Sequence, residues 1–498
     1  MQRRQFLARG LGLAASSLCS GIALADSATY QKFHHALEQT PELALYADTV
    51  ADLAGTARLE GHLPRDLQGV FFRNGPGRFE LQGERYHHWF DGDGFAQRWQ
   101  IANGKVSHSG KFIRTHKFVT ETRAGKFLYP TFGTWFDRAG VKNNDTINAA
   151  NTNLLPFNGK LYALWEGGSA TELDPVTLAT KGIKTWRDDL QAMPFSAHPK
   201  TEIDGNLWNF GTLPGSDQLA LYHLAADGRV INFGIVKIPQ LAMVHDFVMS
   251  AAHLIFLIPP YDLVGGANLS FVERHQWAGS GTNARPLRVV VVSKADLQIR
   301  QIFELPPRMV FHFGNAFDDG NTTRFDAVLH EGDVIQELAN LMTGSLQVDP
   351  ARRSYTSQIS LDYARKTATE TRLFGSSEFP RVAPQVMARR HRRLVLLSPA
   401  TDKPGLLLNT VNLLNTDNGA AQSYRFDAGW AVEEHILVPR PSARFESDGY
   451  LLGVAQNINL KQTVLTVFDA AKVADGPIAL AHLPYRAPHC FHGNFLTA

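Results

Sequence analysis

The chain is 498 residues long, 44% hydrophobic and 19% charged, with 41 Gly and 25 Pro, a globular composition that excludes disordered, fibrous and polytopic membrane classes. Forty-nine Lys and Arg against 47 Asp and Glu leave it near neutrality, which removes the electrostatic case for a nucleic-acid partner. Length alone suggests several domains, but repeat-built β architectures use this many residues in one unit.

Residues 1–25 read as a twin-arginine signal peptide. Arg3-Arg4-Gln5-Phe6-Leu7 forms a basic head, a Gly/Ala-rich apolar run extends from Leu11 to Leu24, and Ala23-Leu24-Ala25 offers the small residues of a cleavage site before Asp26. The run is short for a membrane span; the competing readings are an uncleaved anchor and, more weakly, a lipoprotein through Cys19. The leader predicts folding before export through the twin-arginine machinery and a periplasmic location. Cleavage leaves Cys490 alone, so no internal disulfide is expected and the core must supply the stability.

Beyond Asp26 the only helical pattern lies around Lys32 to Glu38. The rest is short apolar or alternating runs broken by Gly, Pro, Asn and Asp. Hairpins are expected for Leu161–Glu166 with Glu172–Leu178, Leu219–Tyr222 with Asp227–Ile231, Val289–Ser293 with Asp296–Ile302, and Leu465–Asp469 with Pro477–Ala481. Evenly spread hairpins without crossover helices or a dividing linker predict an all-β chain over residues 26–498, closed as a β-propeller; the alternative is a pair of β-sandwiches. Residues 117–140 and 255–277 are apolar without alternation and read as two insertions that line a tunnel, touch a membrane surface or simply connect blades.

Four of the 19 histidines lie in apolar settings at strand ends: His198, His245, His312 and His492. A charged imidazolium is costly there, and a neutral imidazole bound to a metal is not. Their separations of 47, 67 and 180 residues match no compact metal motif, but a propeller can bring one residue from each of several blades to its axis. Four imidazoles without a carboxylate or thiolate suit Fe, Cu, Ni or Zn. Glu166, Glu378 and Glu434 are the acids in apolar company that could accept the remaining ring N–H groups; the competing reading is three surface strand acids. Asp91-Gly-Asp93-Gly reads as a tight turn and Cys490 as packing, and no phosphate loop or nucleophile elbow occurs.

Taken together, Phe72-Arg-Asn-Gly-Pro, Tyr86-His-His-Trp-Phe-Asp-Gly-Asp-Gly, Ala150-Asn-Thr-Asn, Ala163-Leu-Trp-Glu, Ser196-Ala-His-Pro, Val244-His-Asp-Phe, Phe311-His, Glu378-Phe-Pro and Phe491-His-Gly resemble the carotenoid cleavage oxygenases, in order and across nearly the whole chain. The resemblance implies a seven-bladed β-propeller with a loop and helical cap over an axial metal site. It implies one Fe(2+) ion held by His198, His245, His312 and His492, with Glu166, Glu378 and Glu434 behind them; Glu433 adjoins Glu434. The implied reaction is dioxygenation, in which O2 cleaves a C=C bond of a carotenoid or apocarotenoid into two carbonyl products, with no acid or base residue required. A hydrophobic conjugated polyene and a peripheral membrane surface are the implied partners. Lignostilbene-type members grip a phenol with a tyrosine and a lysine; Phe112 falls near the expected tyrosine, which favours a polyene over a stilbene. Two rivals are a non-catalytic polyene-binding propeller and a metal-dependent hydrolase with carboxylate or carbonyl ligands.

Overall fold

A computed structural model describes residues 27–49, 51–266, 268–345, 353–399 and 407–498. The expected leader lies outside them. Seven antiparallel sheets of four or five strands follow one another around a ring, giving a seven-bladed β-propeller rather than two sandwiches. Each blade starts at the axis and steps outward. The innermost strands of blades 2 to 7 are Asn153–Phe157, Lys200–Thr201, Val248–Met249, Met309–Asp319, Glu378–Arg381 and Trp430–Pro439. All four expected hairpins are present as paired strands.

Both ends of the chain close the ring. The C-terminal strand His492–Thr497 is innermost in blade 1, paired with Gly69–Arg78, while Leu53–Thr56 covers the outer edge of that blade and Arg58–Gly61 the outer edge of blade 7. The innermost strands turn their unpaired edges toward the enclosed axis, and the N-terminal strands cover two outer edges.

The sequence pattern follows position in the blade. Leu287–Ser293, with its run of four valines, is sandwiched within blade 4 and buried on both faces. The outer strand Ile299–Leu305 alternates between half-buried or buried and exposed positions. The apolar core is divided among the interfaces between blades. Val248, Leu257 and Val289 pack on Phe313, Phe325 and Ile359 between blades 4 and 5, and Trp99 and Ile101 pack on Leu452 and Val467 between blades 1 and 7. A ring of small cores lets one unit absorb a length that would ordinarily split into domains.

The N-terminal helix is Ala28–Gln39, capped by Ser27 Oγ accepting the Tyr30 N–H at 3.2 Å. Its Phe33 joins Leu341 and Met342 of the helix Val334–Met342 against Trp89 and Phe491, which places a helical cap over the axis. One expectation needs correction. Residues 255–277 are not a single insertion: Ile255–Ile258 belongs to the second strand of blade 4, His253–Ile258, and only the following residues leave the blade. They form the hairpin Tyr261–Leu263 with His275–Trp277 and the short helix Phe271–Arg274. The run is apolar because this strand is buried on both faces, a pattern that periodicity alone cannot tell from an insertion.

Candidate metal centre and cavity

The ring geometry brings together the four histidines that the sequence scatters. His198 and His245 lie just before the innermost strands of blades 3 and 4, His312 within that of blade 5, and His492 begins that of blade 1. All four are buried, and their nearest ring nitrogens lie within 4.8 Å of one another. Successive Nε2 atoms are 2.9 Å (His198 to His245), 3.2 Å (His245 to His312) and 3.2 Å (His312 to His492) apart.

Three carboxylates stand behind three of these rings. The Nδ1–H of His312 donates to Glu378 Oε2 at 2.6 Å, that of His492 to Glu434 Oε1 at 2.9 Å, and that of His245 to Glu166 Oε1. Glu166 follows the second strand of blade 2, Glu378 starts blade 6 and Glu434 lies on the first strand of blade 7, so each blade contributes one member of the set. No carboxylate backs His198 among the described residues; its backbone N–H is fixed instead by Ser196 Oγ at 3.2 Å. Donation through Nδ1 leaves the Nε2 lone pairs of the three backed rings facing one another.

Electrostatics favours the neutral ring at two of the four positions, His198 and His492. Burial and the neighbouring imidazoles hold His198 well below the usual histidine range. Burial outweighs the pull of Glu434 at His492 and brings it to about 4. At His245 burial works in the same direction, but the Glu166 carboxylate outweighs it and raises the imidazole. Glu378 is held below the ordinary carboxylate range against its own burial by His312 and His330, and Glu434 by Arg381 and His492. Neutral imidazoles backed by ionised glutamates are the usual surroundings of a divalent metal.

The donor set fits such an ion. Four nitrogens aimed at one point repel one another without a cation between them, and ligands about 2.1 Å from a shared ion at right angles would be about 3 Å apart, the spacing found here. Phe379 stacks on His312 (centroids 5.2 Å, 27° between planes), and its φ of +55° is a strained conformation next to Glu378.

His245, His312 and His492 open onto a cavity of about 1000 Å³, whereas His198 does not line it. The walls are largely apolar and include an aromatic set: Trp89 and Phe90 from the turn after Tyr86, Phe132 and Trp135 from the 127–136 segment, Phe271 near the mouth and Phe491 beside the ligand strand. Asp91 fastens the first two groups together. Its carboxylate accepts the N–H of Gly133 at 2.7 Å, the Thr134 hydroxyl at 2.6 Å and the His88 N–H at 3.0 Å. Both unpatterned apolar segments thus supply cavity lining, in part.

Three cavity histidines, His275, His330 and His489, escaped the sequence reading, and two of them lie close to the centre or its ligand strand. His330 Nε2 donates to Glu378 Oε1 at 2.7 Å, so that one carboxylate serves two rings, and His489 lines the wall three residues before His492. The only signal was a histidine ending the apolar run Ala327-Val328-Leu329 and another beside Cys490. Phe112 is a correction. It packs on Phe95 and Phe118 in blade 1 and is not among the lining residues, so it says nothing about a phenol grip.

Residues 47–497 match the model of the retinal pigment epithelial membrane protein family. The chain belongs to that family, the carotenoid cleavage oxygenases. Carotenoid cleavage oxygenases similar to it include the apocarotenoid-15,15'-oxygenase of Synechocystis sp., 28% identical over 88% of this chain and 92% of the relative. The lignostilbene-alpha,beta-dioxygenase isozyme III of Sphingomonas paucimobilis is 26% identical over 88% and 93%, and the isoeugenol monooxygenase of Pseudomonas nitroreducens 27% over 87% and 93%. Among solved family structures, cobalt-substituted Synechocystis ACO superposes with a TM-score of 0.83 at 26% identity, covering 92% of this chain and 99% of that one.

Proposed function

We propose that the protein is an Fe(II)-dependent dioxygenase that uses O2 to cleave one C=C bond of an apocarotenoid or related conjugated polyene into two carbonyl products. The observation that carries the reading is the convergence of four buried histidines, three of them at the wall of a largely apolar cavity of about 1000 Å³. The relatives named as oxygenases support it, as does the cobalt-substituted structure of one of them.

His198, His245, His312 and His492 would hold the ion, which supplies the redox centre that lets O2 react with an alkene. Glu166, Glu378 and Glu434 keep three Nδ1–H groups occupied and three Nε2 lone pairs directed inward. Trp89, Phe90, Phe132 and Phe491 exclude water and hold a flat conjugated chain, so its depth in the cavity selects which bond is cut. The alkene supplies the electrons, and the sum is one olefin plus O2 giving two carbonyls. No side chain has to move a proton.

The second reading is a stilbene-type dioxygenase, favoured by the polar His489 on the cavity wall and by the loss of the argument from Phe112. The twin-arginine leader supports export to the periplasm, cleavage before Asp26 and a single oxygenase unit over residues 26–498. Leu263 and Phe271, exposed at the cavity mouth, support peripheral attachment to a membrane surface; no described helix is long and apolar enough to cross one.

Anaerobic purification with metal analysis, followed by O2 uptake with an apocarotenal and a hydroxystilbene in parallel, tests the reading. One iron per chain and new aldehydes from the apocarotenal support it. Turnover of the stilbene alone replaces the substrate, and absence of iron and of uptake overturns the activity.

A further inference from the structure

One polar element of the cavity wall has no part in the chemistry above. His489 lies nearly flat on Trp89, with centroids 5.6 Å apart and 20° between the planes. Its Nδ1 is 3.4 Å from Glu433 Oε1. Glu433 is itself fixed: Oε2 receives Arg73 Nη2 at 2.8 Å, and Oε1 the Gln456 amide at 2.7 Å. Despite burial, His489 and Arg73 hold this carboxyl down at about 2, so a charged group sits behind the imidazole. The contact is electrostatic and makes no hydrogen bond, but a proton placed on Nδ1, facing the carboxylate, leaves the lone pair on Nε2, at the edge turned away from Glu433.

Tyr46 lies on the same stretch of wall, edge-on to Trp89 at 5.2 Å and 6.4 Å from the His489 ring between centroids. Burial raises its phenol, which therefore keeps its proton and donates. Two other polar groups of the lining are committed elsewhere: the Asn151 amide donates to the carbonyls of Phe90 and Gly92, and the Ser377 hydroxyl bonds Thr356 and Gly375. An acceptor and a donor flanking one indole complement a group that both donates and accepts.

We infer that His489, oriented by Glu433, and Tyr46 form a subsite for a hydroxyl on the end group of a conjugated olefin whose double bond lies at the four histidines. The shared chemistry is a phenol or a ring alcohol. The inference rests on the olefin-binding reading of the cavity but does not require turnover.

The test is equilibrium quenching of tryptophan fluorescence in the metal-loaded protein. The probes are para-hydroxystilbene against its methyl ether, and a ring-hydroxylated apocarotenal against its deoxy counterpart. The free hydroxyl should bind about tenfold tighter in one pair at least. His489→Phe should abolish that preference while the methyl ether or deoxy probe binds as before, and His489→Gln, which retains an acceptor, should keep part of it. Circular dichroism and metal content verify the fold of both variants. Preference in the stilbene pair alone identifies a phenol, and in the apocarotenal pair alone a ring alcohol. No preference in the wild type, or one that survives His489→Phe, overturns the subsite. A preference without O2 uptake overturns the dioxygenase and leaves the subsite standing.

Discussion

Lys200 Nζ lies 2.8 Å from Asp246 Oδ1, so the strand that begins two residues after His198 is tied to the residue that follows His245. The other oxygen, Asp246 Oδ2, accepts the backbone N–H of Phe313 at 3.2 Å, beside His312. One buried carboxylate therefore sets the spacing of three histidine-bearing segments. Asp246→Ala should weaken metal binding by about 10- to 100-fold with all four histidines intact, measured by competition with a chelator. Unchanged affinity would show that the segments hold their positions without it.

Removal of a ring and removal of its partner should differ. His312→Ala deletes an Nε2 from the centre and should abolish stoichiometric metal binding. Glu378→Gln should retain the ion with about 10- to 100-fold lower affinity, because His312 and His330 both lose a charged acceptor. The visible absorption of the cobalt-loaded protein checks both, and equal binding by wild type and His312→Ala would remove His312 from the set.

Lys117 is fully buried between Asp93 (3.0 Å) and Glu121 (3.0 Å), with the Tyr86 hydroxyl also in contact. Glu121 Oε1 in turn accepts the N–H groups of Leu128 and Tyr129, where the cavity-lining segment begins. Lys117→Met leaves two buried acids without their cation and should destabilise the fold by about 3–5 kcal/mol. Urea unfolding measures this, and a loss below about 1 kcal/mol would mean that Arg78, which also pairs with Asp93, suffices.

Burial lowers His88 and His435 to about 4. Both are fixed as neutral rings: His88 Nδ1 accepts the Phe90 N–H at 3.0 Å, and His435 Nε2 accepts the Thr466 hydroxyl at 2.7 Å. A histidine depressed in the folded state contributes stability that is complete above its unfolded value near 6.5 and is lost as pH falls through 4. Stability should therefore drop by about 2 kcal/mol per histidine between pH 7 and pH 5. Urea midpoints across that window check the slope, and His435→Gln should flatten it. A midpoint that rises on acidification would contradict the assignment.

Leu263 is 56% exposed and Phe271 36% exposed at the mouth of the cavity. Changing both to Asp should reduce co-sedimentation with phospholipid vesicles several-fold while leaving the metal content unchanged. Equal sedimentation of variant and wild type would rule out attachment through this mouth.

The sequence by itself determined the strand-and-turn rhythm, the N-terminal helix and the four histidines, because each depends on local context: apolar alternation, turn residues, or a histidine where charge is costly. Glu166 and Glu378 were legible for the same reason. Glu433 and Glu434 were not separable, since both are buried and the pairing register of their strand shifts between Val432 and His435, so simple alternation fails there. Only the closed ring sends Glu434 to His492 and Glu433 to Arg73 and His489. Tertiary structure alone returned Ile255–Ile258 to blade 4, removed Phe112 from the cavity and brought His330 to Glu378. Each of these depends on which blade faces which, and contacts between strands far apart in the chain leave no periodic trace in the sequence.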